Sequence, residues 1–187
     1  MRVRNIVITG EPVLHNRAQD VVEINDYVRD LVQDMYLTMD AAPGVGLAAP
    51  QVGIPLRIFV FDWEDATGSY RDVAINPTLV VAELEEREAD PDSESEGCLS
   101  VPGERFPLLR CQTATLTALN ISGESYTIHA QGWLARIFQH EYDHLEGKLY
   151  VDRLDPKQQK LAKKAIKANG WGEPGNSWSP GEDFLEP

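Results

Sequence analysis

The stretch His140-Glu-Tyr-Asp-His144 constrains this chain more than any other, because it asks one helix to carry a polar site through apolar surroundings. Residues four apart share a helix face, so the two imidazoles can offer nitrogens to one ion. Glu141 is turned about 100° from His140 and can reach water on that ion without ligating it. Leu134, Ile137, Phe138 and Leu145 make the neighbouring faces apolar. The helix, read as Trp133 to Glu146 with Gly147 as its C-cap, is therefore expected to be central. Histidines on a buried helix can be ordinary hydrogen-bonded core residues. Two at this spacing, with a glutamate in register, point instead to a metal, and a dry wall strengthens that metal's pull on water and substrate.

Two imidazoles rarely hold a catalytic metal alone, and the third ligand must be Cys, His, Asp or Glu. A three-histidine protease motif would continue from Gly147 to a further histidine, but Tyr150 stands there. His15 and His129 lie in segments with no other site character. Glu146 is too close in sequence to complete the triangle, and Glu173, Glu182 and Glu186 fall in a Gly/Pro-rich tail. Cys111 sits in a strand pattern and reads as a packed core residue. Cys98 follows Gly97 in a tight Glu-Gly-Cys segment where backbone can approach an ion closely. The inferred set is Cys98, His140 and His144, with water in the fourth position. One thiolate and two imidazoles favour zinc or ferrous iron over magnesium or calcium.

The remaining pattern is that of one α+β domain, antiparallel or mixed sheets packed around the metal helix. Ile24 to Ala41 spaces Val28, Leu31, Val32, Met35 and Met39 as an amphipathic helix. Gly44 to Gly53 reads as a loop, Leu56 to Trp63 as a strand, Asp65 to Arg71 as a turn. Asp72 to Ala82 is a strand broken near Asn76-Pro77. Arg110 to Asn120 and Tyr126 to Ala130 form strands about a turn at Ile121 to Ser125. From Glu83 to Glu96 eight carboxylates surround one arginine, a solvated loop or edge strand. A length of 187 residues suits a single core, assigned to residues 1–169, with 170–187 as a tail that Trp171 and Trp178 would dock onto the domain. The net charge of −13 argues against broad nucleic-acid binding, DNA included. No apolar run is long enough for a membrane span or a secretion signal, so a cytoplasmic location is expected, where Cys98 and Cys111 stay thiols.

Gly44-Val-Gly-Leu-Ala-Ala-Pro-Gln51, Glu96-Gly-Cys-Leu-Ser100 and His140-Glu-Tyr-Asp-His144 look like the three motifs of the peptide deformylases, in the right order. The resemblance runs from about Gly10 to Leu154, includes Gly10-Glu-Pro-Val-Leu14, and is greatest to the bacterial type I branch. It implies removal of the formyl group from the N-terminal formyl-methionine of new polypeptides, with release of formate. It further implies Cys98, His140 and His144 as metal ligands, Glu141 as general base and acid, and Gln51 with the Leu99 N–H as oxyanion donors. The metal implied is Fe2+, with Zn2+ or Ni2+ able to occupy the same site. Bare backbone at Gly44 and Gly46 would pair with an extended peptide. By the same resemblance Val45, Glu96, Trp133, Ile137 and His140 lie about the pocket for the methionine side chain, Gly97 is among the substrate-binding residues, and Arg105 lies near the bound peptide.

Two other readings use the same residues. One is an H-E-x-x-H peptidase cutting internal peptide bonds, which the Gln51 and Cys98 motifs disfavour. The other is an inactive, metal-stabilised binding module, which the intact matched positions disfavour. Separately, Leu154 to Ala168 places Leu154, Leu161, Ala162, Ala165 and Ile166 on one helix side and Lys157, Lys160, Lys163, Lys164 and Lys167 on the other. That basic face in an acidic chain is either solvated or a contact for ribosomal RNA.

Overall fold

The computed structural model describes residues 1–42 and 44–183. A short strand, β1 (Ile6–Val7), and a 3-10 turn (Pro12–His15) precede helix α1 (Asp26–Ala41). The helix starts two residues later than its apolar period suggests, because the Asn25 side chain accepts the Val28 N–H at 3.2 Å and so caps it. Val28, Leu31, Val32, Met35 and Met39 are all buried, as their spacing requires; each stabilises the fold by roughly 1.5–3 kcal/mol.

The segment expected to be a loop from Gly44 to Gly53 holds strand β2 (Gly46–Ala48) and a 3-10 turn (Ala49–Val52). Gly-Leu-Ala, three residues with no β-branched member, carries no strand signal of its own, so pairing with β3 makes this strand. β3 (Ile58–Asp65) and β4 (Gly68–Val81) follow as a hairpin. Their turn is confined to Asp65–Gly68, where the Asp65 carboxylate accepts both the Thr67 N–H and hydroxyl, and Ser69 to Arg71 joins β4 instead of the expected turn. β4 runs through Asn76-Pro77 with a register shift. Asn76 sits at φ +48°, and its side-chain amide exchanges two 2.8 Å hydrogen bonds with the Val21 backbone.

β5 (Ser95–Cys98) and β6 (Val101–Pro107) form a second hairpin, and β7 (Thr113–Leu119) and β8 (Ser125–Gln131) a third. Helix α2 (Gly132–Leu145) carries the metal motif, helix α3 (Pro156–Ala168) follows, and β9 (Ser177–Trp178) returns to pair with β1. The sheets are β2-β3-β4-β7-β8, β5-β6 and β1-β9, with every neighbouring pair antiparallel. α2 lies between the five-stranded sheet and the β5–β6 hairpin. Phe138 packs on Phe59 and Phe61 at centroid distances of 6.2 and 5.0 Å. Gly147 turns the chain out of α2 at φ +70°, and a Cβ there would lie 2.6 Å from the Asn16 backbone.

On α3 the lysines are exposed and Ala162 is buried, but Leu161, expected on the apolar side, is 48% exposed. It lies one helical step away from Ala162 and misses the core. Trp178 is buried and Trp171 half-buried. The last four residues, Glu186 among them, lie outside the described residues.

The acidic segment is exposed along most of its length, but Glu94 and Glu96 are buried. Two hydrogen bonds from Arg87, at 2.6 and 2.8 Å, hold the Glu94 carboxyl down at about 2. A carboxyl depressed from about 4.3 adds stability above that value and loses it as pH falls through the folded one. The stability difference between the wild type and Glu94→Gln, measured by urea unfolding, should be full at about pH 7 and shrink between about pH 4 and 2. A difference that stays constant over that window would show that the Arg87–Glu94 pair does not act this way.

Candidate active site

α2 presents His140 and His144, one turn apart, to the end of β5. Cys98 Sγ lies 3.4 Å from His144 Nε2, and the ligand atoms of Cys98, His140 and His144 all fall within 4.8 Å of one another. Burial pushes the His144 imidazole well below its ordinary value, which keeps it neutral as a ligand must be. His140 is oriented through its other nitrogen, with Nδ1 3.0 Å from Glu96 Oε2. Its ring stacks on Tyr150 at 6.1 Å and 24°, and the Tyr150 hydroxyl donates to the Glu104 carbonyl at 2.7 Å. Tyr150, which occupies the place of a third histidine, therefore supports a ligand and is not one.

Glu96 lines the cavity, but its carboxylate is already committed. It accepts from Arg110 at 2.9 and 3.0 Å, from Arg136 at 2.8 Å, and faces His140. Burial opposes its charge, yet the Arg110 guanidinium and His140 outweigh that and hold the carboxyl well below the usual range. Arg110 also donates to Asp143 at 2.6 Å, and Asp143 accepts from Arg153. Breaking one link in such a buried chain costs about 3–5 kcal/mol, since it strands a charge without its partner. Glu96, expected about the pocket for the methionine side chain, lines the cavity with Val45, Trp133 and Ile137 and also bears on His140.

Glu141 is buried beside this pair. Its Oε2 has no hydrogen-bond partner among the described residues, and burial pushes its carboxyl up to about 7. A group titrating there can both accept and return a proton near neutral pH. Gly46 on β2 makes room for it: a Cβ at Gly46 would lie 2.4 Å from Glu141 Oε1. Gln51, in the 3-10 turn after β2, is fixed by the end of that strand, because its Oε1 accepts the Ala48 N–H at 2.8 Å. That leaves Nε2 as a donor toward the site, 3.7 Å from Cys98 Sγ. Leu99 follows the cysteine directly and is buried.

These groups share one cavity of about 230 Å³. Gly44, Val45 and Gly46 form one side of it, and Gln51, Gly97, Cys98 and Leu99 another. Trp133, Ile137 and Arg136 come from α2 and Arg105 from β6. Arg136 lies 5.2 Å over the Trp133 ring, and Arg105 is exposed and bonds the Ser95 carbonyl at 3.1 Å. Of the site residues expected from the sequence, all but His144 line this cavity, and His144 lies against Cys98 beside it. His15 and His129 are engaged elsewhere, with Gly10 and Thr115. Cys111 is buried, but precedes β7 instead of lying in it, and the Gln139 amide satisfies its backbone at 3.1 and 2.8 Å. Arg110, Arg136 and Asp143 escaped sequence reading. Their one signal was charge set within apolar stretches.

Three convergent donors, one thiol and two imidazoles, beside an unpartnered buried carboxylate oxygen fit a divalent transition-metal ion. With an amide donor aimed into the same cavity, the fold and site define a metal-dependent hydrolase. Comparison narrows this. A family model described as polypeptide deformylase matches residues 3–160. Peptide deformylase 2 of Corynebacterium efficiens is 51% identical over 185 residues, covering 98% of this chain and 96% of the relative. Peptide deformylase of Mycobacteroides abscessus is 46% identical over 190 residues, covering 97% and 96%. Among solved structures, peptide deformylase from Ehrlichia chaffeensis in complex with actinonin superposes with TM-score 0.79 at 34% identity, covering 90% of this chain and 98% of that one. One from Legionella pneumophila gives TM-score 0.76 at 36% identity, covering 90% and 95%. The chain belongs to the peptide deformylase family.

Gly46→Ala should push the Glu141 carboxylate out of place. The expected result is a fall in kcat of roughly a hundredfold, the order that small misplacements cost, with bound metal unchanged. Steady-state kinetics and metal analysis of the variant check both parts.

Proposed function

We propose that this chain removes the formyl group of N-terminal formyl-methionine through the residues gathered around Cys98, with Cys98, His140 and His144 holding the ion. The observation that supports this most directly is the meeting of Cys98 with the α2 histidines under the Gln51 amide. When bound, a divalent ion supplies a nucleophilic water near neutral pH and polarises the carbonyl oxygen. Glu141 takes the proton from the attacking water and delivers it to the methionine nitrogen as the C–N bond breaks. The hydroxyl stays on the formyl carbon, so formate and a free amine leave. Gln51 Nε2 and the Leu99 N–H donate to the oxygen on which charge develops, neutral donors that contribute several kcal/mol when pre-oriented.

β2 ends the five-stranded order, so its outer edge can pair with an extended peptide. Gly44 and Gly46 keep that edge bare, while Val45, Gly97, Trp133 and Ile137 receive the methionine side chain and Arg105 lies along the peptide. The donor set suits Fe2+, one per chain, with Zn2+ or Ni2+ able to replace it. Residues 1–169 act as one catalytic unit and 170–187 as an appended tail.

Anaerobic purification, metal analysis and formate release from formyl-Met-Ala test this reading. Unformylated peptide should remain uncut; cleavage of its internal bond would favour a peptidase. Cys98→Ala should lose metal and activity, whereas Cys111→Ala should keep both and lose only packing stability. Glu141→Gln should keep the metal and lose about 10²–10⁴ in turnover. Full metal in both cysteine variants would overturn the ligand assignment.

Among the described residues no helix is long and apolar enough to cross a membrane, and we place the enzyme in the cytoplasm with the chains it processes. The exposed lysines of α3 support contact with ribosomal RNA. Co-sedimentation with ribosomes should fall with salt and fall further when Lys157, Lys160, Lys163, Lys164 and Lys167 are changed to Gln. Unchanged co-sedimentation of that variant would remove α3 as the contact.

A further inference from the structure

Cys98 and Val101 pair across the β5–β6 hairpin, so Leu99 and Ser100 form the turn between them. That turn lies directly against the site, yet neither strand holds its two carbonyls. The Leu99 carbonyl accepts the Trp178 indole N–H at 2.9 Å, a buried hydrogen bond. The Ser100 carbonyl accepts the Thr9 N–H at 2.9 Å. Both donors belong to one layer, in which the chain's ends are laid over each other. The Ile8 N–H donates to the Asn176 carbonyl and the Gly172 N–H to the Thr9 carbonyl, each at 3.0 Å. Gly10 lets the tail close, since at φ +108° a Cβ there would lie 2.4 Å from the Glu173 nitrogen. Trp178 is 3% exposed. A buried indole N–H and a buried carbonyl each need a partner, and here each is the other's.

We infer that Trp178 is a positioning residue for the reaction: by holding the Leu99 carbonyl it fixes the turn that aims the Leu99 N–H into the site. Trp178 touches neither substrate nor ligand atoms in this role. It sets the plane of the peptide that follows Leu99, and therefore the direction from which the Leu99 backbone enters the cavity. The inference rests on the reading of the Leu99 N–H as an oxyanion donor. Such a donor acts mainly in the transition state, so losing its aim lowers kcat and spares KM.

The test removes the donor and keeps the ring. Trp178→Phe does so at reduced size. Benzothienylalanine at position 178 keeps the bicyclic shape and replaces the N–H with sulfur, which guards against a packing defect. Trp171→Phe, elsewhere in the same tail, is the control. Both position-178 variants should retain metal content and cooperative unfolding, with KM within about twofold and a melting temperature lower by only a few degrees, because the Leu99 carbonyl is left unpaired. Their kcat should fall about tenfold, a part of the 10²–10³ that complete loss of an oxyanion donor costs. Amide exchange in a peptide spanning residues 97–101 should speed up severalfold, and the control should change neither measure. Unchanged exchange overturns the anchoring role, and faster exchange with unchanged kcat overturns the link to catalysis. A parallel loss of kcat, KM and metal reduces Trp178 to a packing residue and also overturns it. Wild-type protein that is metal-loaded but releases no formate is a failure of the proposed function, visible before any variant is read.

Discussion

The Glu96 carboxylate joins three parts of the chain that share no sequence proximity. It accepts from Arg110 ahead of β7 and from Arg136 on α2, and it faces the ring nitrogen of His140 one turn further along. Taking such a charge out of water is expensive, and burial alone would drive Glu96 neutral. The Arg110 guanidinium and His140 prevent that, and Asp143, itself paired with Arg153, in turn balances Arg110. What this network supplies is direction more than stability. It locks α2 against β5, so that the helix pair and Cys98 meet at one point with His140 in a single orientation.

Around that point the backbone does much of the positioning. Gly46 leaves the space that Glu141 occupies, and the Ala48 N–H decides which end of the Gln51 amide faces Cys98. The chain termini brace the far side, where Thr9 and Trp178 hold the turn after Cys98. The site is therefore walled by three layers: the edge of the large sheet, the metal helix and the small hairpin, with the crossed termini behind the last. Burial of this assembly raises Glu141 toward neutrality while charge pairing keeps Glu96 ionised. Two carboxylates on the same cavity are thus held in opposite ways, one pushed up by burial and one kept ionised against Arg110 and His140.

The long elements were legible in the sequence because they bury a stripe or a face. α1, α2, β3 and β7 announce themselves through period, with ends displaced by up to three residues: at Asn25 by a cap, at Asp65 by a turn, and at Arg110 and Cys111 because those residues bond Glu96 and Gln139 instead of joining β7. β2, β5 and β6 were not legible. β2 and β5 are short, and β6, as long as β7, is interrupted by Pro, Gly and charged residues; none shows a clean alternation, and each forms by pairing with its neighbouring strand. Leu161 was assigned to the core by spacing, but lies one step beyond the face that α3 buries. Glu94 and Glu96 lie in what reads as a solvated acidic run; they are buried because Arg87 of the same run folds back on Glu94, and Arg110 and Arg136 come to Glu96 from elsewhere in the fold.

The sequence by itself determined the chemistry available: two imidazoles and a carboxylate set by helical period, one cysteine after a glycine, an amide at the end of a Gly/Ala/Pro run. Those facts are local, and local geometry fixes them. Only the tertiary structure decided which groups act together. It brought Cys98 to within 3.4 Å of His144, gave Glu96 to His140, and set Tyr150 as a support beneath that ring. It also laid Trp178 behind Leu99. Such pairings depend on how strands far apart in sequence register against one helix, and no spacing along the chain encodes that distance.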